Sequence, residues 1–362
     1  MKAQLQLSDS TINTSRHPVF HRFPLWRGTV SEGFIVNFLG TLTRSSFWPQ
    51  YKTIADSYPP DRRVLSEYPP FDEEYFEWID LLEAIAAAEQ HFTMIELGAG
   101  WARWAVNAGV ALRHLGGIPY TCIAVEAEPT HFRWISQHIA DNSLDPANFQ
   151  LIEAAVAAVD GKVGFHVGET QWGGPGNCYG QSIGGPTLVP AISLNTLLRP
   201  LGTVNLIDLD VQGAELEILE AAAVELDKKV KRVHIGTHGR TVEEGLSSLF
   251  GRLGWECLRS FECASSVKTE WGTISFQDGV QSWLNPAYSK EPVEVTVLRQ
   301  KLESSRLEGA RLWAELQKAR KSSLVPGSLG SRFIERAKRL RDQMAPTGTR
   351  RRRLFDSVSK RI

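Results

Sequence analysis

The sequence predicts a doubly wound α/β fold: a mostly parallel sheet with an antiparallel hairpin at one edge, an N-terminal extension and a C-terminal helical tail. Three observations carry this. Between residues 92 and 285, apolar strand-like runs alternate with amphipathic helical runs, as crossovers on a parallel sheet require. The first run, Phe92 to Leu97, breaks into Gly98-Ala99-Gly100 and continues as helix, the kind of turn that doubly wound sheets place at their carboxyl edge. After residue 254, "WECLRSFEC" and "WGTISFQDG" read as two strands without a helix between, hence an antiparallel pair.

Residues 1–70 are rich in Pro, aromatics and Ser/Thr, and "FPLWRGTVSEGFIVNFLG" is apolar enough to pack on the rest. "FDEEYFEWIDLLEAIAAAEQ" (71–90) reads as a helix. Phe76, Ile79, Leu82 and Ile85 recur at helical spacing, and acids crowd the first turn, where the helix dipole favours them. Strands are expected at 92–97, 121–126, 149–153, 162–167, 204–209 and 231–236, and helices at 101–115, 130–141, 214–225 and 241–252. The organisation is then an extension and cap helix (1–90), a ligand-binding domain (91–286), a helix (291–320) and a basic tail (321–362).

In the third segment Leu298, Leu302, Ser305, Gly309, Leu312, Leu316 and Ala319 form a heptad seam weakened by Ser and Gly, a route to a homo-oligomer. In the tail, Phe333, Ile334, Ala337 and Leu340 lie between basic residues, ahead of Arg350 to Arg353. Such a helix lies on an anionic membrane as a peripheral contact, binds a phosphate-rich partner, or is a solvated end.

The chain of 362 residues carries a formal net charge of -1, which gives no overall pull toward nucleic acid. Its four cysteines, Cys122, Cys178, Cys257 and Cys263, have no metal-ligand spacing and read as reduced thiols. Residues 1–20 lack an apolar signal core and no 18-residue apolar run occurs, so the expected location is cytoplasmic.

Glu96 stands near the end of the first apolar strand. Burying it without a polar partner costs a few kcal/mol, so a donor-rich or cationic ligand is expected there. Gly98 and Gly100 give backbone access to such a ligand, and the following helix offers unpaired N–H groups. Arg103 occupies the third glycine of a dinucleotide fingerprint, which argues against a nicotinamide oxidoreductase. "TCIAVEAEP" ends its apolar run in Glu126, placed to accept from two ribose hydroxyls, while Glu128 reads as a solvated loop acid. "VNLIDLDVQGAELEIL" brings Asp208 and Asp210 to a strand end, so four carboxylates converge on one crevice. A metal or a sulfonium-bearing ligand would compensate them, but a third and fourth oxygen ligand for Mg2+ are not evident.

"IELGAG", "AVEAEP" and "IDLDVQGAE", in that order, resemble the FkbM-type S-adenosylmethionine-dependent methyltransferases, over residues 90–260. Glu96, Gly98 and Ala99 match the first motif and Glu126 the second-strand acid. Asp210, Val211, Gly213, Ala214 and Glu215 match the last motif, with Gln212 in place of a Glu. Gly100, Ala102 and Asp208 stand where the family often has Asn, Gly and Lys. The resemblance implies a Rossmann-like class I methyltransferase fold that binds S-adenosyl-L-methionine. Glu96, Gly98, Ala99, Gly100 and Asp208 would lie along the amino and ribose end, Glu126 on the ribose, and Glu153 and Ala154 of "LIEAAV" at the adenine.

Methyl transfer to a hydroxyl usually requires that its proton be taken up. "RVHIGTHGRTVEE" places His238 just past a strand end, as base, with Asp210 as the alternative; His234, inside the strand, reads as a hydrogen-bonded core residue. The glycine-rich loop 168–186, with Trp172 and Tyr179, is either an acceptor site or disordered. The expected activity is methylation of a hydroxyl on a glycan or small molecule. The competing readings are the oxidoreductase and a non-catalytic assembly subunit that keeps the fold.

Overall fold

The computed structural model describes residues 16–167 and 187–288. The loop 168–186, the helix 291–320 and the basic tail 321–362 therefore lie outside the described residues. The described chain falls within one compact unit, Met1–Lys290.

The extension supplies short elements: β1 (Arg27–Thr29), β2 (Phe34–Val36), β3 (Leu42–Arg44), α1 (Pro49–Asp56) and β4 (Arg63–Leu65), with β1 paired to β4 and β2 to β3. It shares the core of the domain rather than sitting beside it. Phe20, Phe23, Phe38 and Leu39 are buried in one cluster with Tyr75, Trp78 and Ile79 of α2 (Glu74–Ala86).

Next come β5 (Phe92–Leu97), α3 (Arg103–His114), β6 (Tyr120–Glu126), α4 (Pro129–Asp141), β7 (Phe149–Glu153), β8 (Ala155–Ala157) and β9 (Gly161–Phe165). After the loop follow β10 (Thr187–Ser193), α5 (Leu194–Leu198), β11 (Leu206–Leu209), α6 (Glu215–Ala221), α7 (Ala223–Lys229), β12 (Arg232–Thr237) and α8 (Arg240–Leu253). The last strands are β13 (Glu256–Phe261), β14 (Ser265–Thr269), β15 (Gly272–Phe276) and β16 (Gly279–Leu284).

The central sheet has seven strands in the order β13-β16-β12-β11-β5-β6-β7. Strands β7, β6, β5, β11 and β12 are parallel, and β16 is antiparallel to both β12 and β13. Its middle is apolar on both sides because helices cover both faces: Ile95, Ile123, Ile207 and Val233 face one core, Met94, Cys122 and Leu206 the other.

Three expectations change. The antiparallel edge pair is β13 with β16, while "WGTISFQDG" supplies β15, which pairs with β14. The strand expected at 162–167 is β9, in a separate three-stranded sheet β8-β10-β9; its half-exposed residues lack the continuous apolar run of a central strand. The helix expected at 214–225 is two, α6 and α7, meeting at Ala222.

Candidate active site

The carboxyl ends of β5, β11 and β12 open onto a cavity of about 460 Å³. Its floor is a row across the sheet. Register places Glu96 of β5 beside Asp208 of β11, Asp208 beside His234 of β12, and His234 beside Ser282 of β16. Helix α2 covers this row and adds Glu77 and, one turn on, Asp80. The wall comes from the extension (Trp48, Gln50), from Glu73 at the cap of α2 with Glu74 and Glu77 of that helix, from the glycine turn with Trp101, Arg103 and Trp104, and from Gln277 and Asp278 before β16.

The glycine turn is tight where it meets β11. Gly98 has φ +79°, and a Cβ there would lie 1.8 Å from the Asp210 carbonyl oxygen, so no side chain fits. Gly98 and Ala99 donate to the Val125 carbonyl at 3.0 Å, and Asp210 donates to that of Leu97 at 3.0 Å. Asp210 thus stands against the glycine turn.

Glu96 does not wait for a ligand. Its two oxygens accept N–H bonds from Trp104 (3.1 Å) and Ala105 (2.8 Å), so the first turn of α3 compensates its burial. Burial and the charge of Asp208 still push its carboxyl well above the usual range. Glu126, 7% exposed, accepts from Gly100 at 2.7 Å and from Glu128 N–H at 2.7 Å. It does not line the cavity but sits behind the turn. The four expected carboxylates therefore do not share one crevice: Glu96, Asp208 and Asp210 line it and Glu126 does not. Burial, outweighing these N–H bonds, pushes Glu126 up to about 7. Glu153 pairs in register with Glu126, and Ala154 donates to the Glu126 carbonyl at 3.1 Å; both lie outside the cavity lining. Glu128 is not a solvated acid: it is buried and caps α4 by accepting from His131 N–H at 2.8 Å.

Asp208 and Asp210 part company. Asp208 and Asp210 belong to different clusters, one with Glu77 and His234, the other with Glu215 and His238; in each trio the ligand-type atoms lie within 4.8 Å of one another. Burial and neighbouring charge push Asp208 and Asp210 up to about 6, and Glu77 well above its usual range, through burial and then Asp208. His234, 3% exposed, is held through Nδ1 by Asp80 at 2.8 Å, a core histidine as expected that also borders the cavity. His238 follows β12. Its Nδ1 lies 2.9 Å from Glu215 Oε1, and its Nε2 lies 3.5 Å from Asp210 and 3.7 Å from Asp278. Burial pulls its pKa down, but Glu215 and Asp210 outweigh burial and push it up to about 9. Arg103, the residue in the third-glycine position, forms a bidentate pair with Glu74 at 2.6 Å on both arms.

Sequence reading missed Glu77, Asp80 and Asp278. The first two carried a signal, two acids three apart on the apolar face of a helix. Asp278 carried none.

The residues fit S-adenosyl-L-methionine. A turn with no room for a side chain lets backbone approach the ligand, and crowded carboxylates held above their usual range suit the cofactor's two positive groups.

A seven-stranded sheet whose only antiparallel member lies one place in from the edge, with a glycine turn after the first central strand, defines the class I methyltransferase fold. Residues 92–252, less than half of the chain, match the methyltransferase FkbM domain. A putative methyltransferase of Jannaschia sp. (strain CCS1) is 26% identical over 244 residues, 63% of this chain and 84% of that protein. Among solved structures, precorrin-6y C5,15-methyltransferase from Geobacter metallireducens GS-15 is similar at a TM-score of 0.35 and 14% identity, over 63% of this chain and 100% of that one. TrmK of M. capricolum, solved with S-adenosyl-homocysteine, is similar at 0.32 and 10%, over 73% of this chain and 95% of that one. Among the described residues, no helix is long and apolar enough to cross a membrane.

Proposed function

We propose that this methyltransferase methylates a hydroxyl on a sugar, glycan or other neutral, hydroxyl-rich molecule. The observation that carries the reading is the cavity floor: His238 Nε2 faces Asp210 and Asp278 beside the glycine turn, under a wall of Trp48, Trp101, Gln50 and Gln277. Indole faces and amide groups suit a sugar's mixed surface. The carboxylates repel phosphate, which opposes a nucleic-acid acceptor.

In this reading Gly98, Ala99 and Gly100 hold the cofactor by backbone, Asp208 and Glu96 lie under its amino end, and Glu126, Glu153 and Ala154 take the ribose and adenine side. When bound, S-adenosyl-L-methionine supplies the electrophilic methyl group and a positive sulfonium. His238 and Asp210 act together on the acceptor proton. Glu215 and Asp210 favour the imidazolium, so His238 first releases a proton to solvent. The neutral ring is then the base. A Mg2+ requirement is not part of this reading.

The test is twofold. S-adenosylhomocysteine should raise the melting temperature by mass action. With labelled cofactor and a panel of free sugars and glycans, His238→Ala should cut turnover about a hundredfold while S-adenosylhomocysteine binding stays near that of the parent. Unchanged turnover removes His238 from the chemistry and leaves Asp210; a product methylated on nitrogen sinks the hydroxyl reading.

A further inference from the structure

Glu215 belongs to the last sequence motif, yet the functional reading gives it no role. It is the first residue of α6 and is completely buried. Isolated burial of a carboxylate is costly, so its partners matter. Oε1 takes two: the N–H of Gly213 at 2.9 Å and Nδ1 of His238 at 2.9 Å. Oε2 has no hydrogen-bond partner among the described residues.

These two bonds tie together the whole end of the cavity. Gly213 (φ +111°) and Gln212 (φ +60°) form a left-handed turn between β11 and α6. Gln212 Nε2 donates to Asp210 Oδ1 at 2.7 Å, so fixing the turn also fixes Asp210. On the other side, a carboxylate only accepts, so the His238 nitrogen facing it carries a hydrogen. The other nitrogen, Nε2, is left buried with no hydrogen-bond partner among the described residues, at 3.5 Å from Asp210 and 3.7 Å from Asp278. The charged groups facing the ring are therefore Asp210, Glu215 and Asp278; Arg240, at the start of α8, is turned away to Glu262 at 2.7 Å.

We propose that Glu215 is the positioning residue of this site: it holds His238 as the Nδ1–H tautomer, with Nε2 presented to the cavity for the acceptor proton. The proposal rests on the reading of His238 as base, but its geometry is testable without cofactor or acceptor. A ring bound to an acid in this way resembles a histidine oriented by a carboxylate in other proton-transfer sites, where a wrong tautomer is inactive even when every atom is in place.

The experiment is nitrogen-15 NMR on the full-length protein with labelled histidine, His238 being assigned by its loss in His238→Gln. Neutral His238 should show hydrogen on Nδ1. In Glu215→Gln, which keeps an acceptor but no charge, the His238 titration midpoint should fall by at least about one pH unit, with the Nδ1–H tautomer kept and His234 unmoved. In Glu215→Ala the tautomer preference should relax. Hydrogen on Nε2 in the parent protein overturns the proposal, even if no variant folds; so does a folded Glu215→Gln with an unmoved midpoint. Loss of turnover in His238→Ala with the wrong tautomer would keep His238 as base and reject Glu215. Unchanged turnover with the expected tautomer would do the reverse.

Discussion

Asp80 and Asp208 are both buried carboxylates that flank His234, yet Asp80 keeps its charge and Asp208 resists it. Asp80 accepts from Arg232 and Arg259, both at 2.7 Å, from His234 at 2.8 Å and from the Ser282 hydroxyl. Burial alone would raise its pKa, but Arg259, His234 and Arg232 outweigh burial and hold it well below the usual carboxylate range. Asp208 meets Glu77 instead of a guanidinium, and Arg103 on the wall is already taken by Glu74. One carboxylate is a strut between α2 and β12, β13 and β16. The other meets a second acid and has no guanidinium of its own. Buried charge that is paired holds structure; buried charge that is not paired marks the place for a partner.

Breaking the strut should have the largest effect. Asp80→Ala leaves two guanidinium groups buried without their acceptor, and should lower unfolding free energy by about 3–5 kcal/mol in denaturant titration. A loss near zero would mean that Arg232 and Arg259 repair themselves through Glu83, which Arg232 already reaches at 2.8 Å.

On the ligand side the effect should be smaller and should fall on binding. In the proposed role of Glu126 beside the ribose, Glu126→Ala should weaken S-adenosylhomocysteine by about 1–3 kcal/mol in calorimetry, since the ribose hydroxyls would lose an acceptor. Part of any loss will come from Gly100 N–H, whose bond to Glu126 shapes the turn. Glu126→Gln keeps an acceptor for that N–H, so a Gln variant as weak as the Ala one points to the charge, and a Gln variant near the parent points to the turn.

The sheet was legible because its signals are local. Period and length placed β5, β6, β7 and β12 within a residue or two, and the Gly98 turn announced the carboxyl edge. The motif acids were legible too, but what they touch was not. Glu96 spends its oxygens on the N–H groups of residues eight and nine positions on, a cap that the apolar run hides. Glu128 looked solvated because its cap bond to His131 is a matter of φ and ψ, not of composition. Asp80 and Ser282 are 202 positions apart, and only the sheet order brings them together. The extension's Trp48 and Gln50 were invisible as cavity walls for the same reason.

The smallest effect should come from Asp208 in the ligand-free protein, and it should have the opposite sign to that of Asp80. The folded carboxyl is pushed up to about 6 from an ordinary 3.8. A raised group favours the fold fully below the unfolded value, and that contribution is lost as pH rises through the folded one. The parent should therefore lose stability between about pH 4 and pH 6 from this residue, whereas the paired Asp80 loses its contribution only as pH falls. Asp208→Asn cannot ionise, so it should be more stable than the parent at about pH 8, by on the order of 1 kcal/mol, and near it at about pH 4. Urea unfolding at the two pH values reads this directly. Added S-adenosylhomocysteine, whose ammonium brings a positive charge, should stabilise the parent more than the variant and close the gap. A parent more stable than Asp208→Asn at the higher pH would show that Asp208 is paired after all. The contrast with Asp80 would then dissolve, and with it the argument that this end of the sheet is kept electrostatically unfinished for a cation.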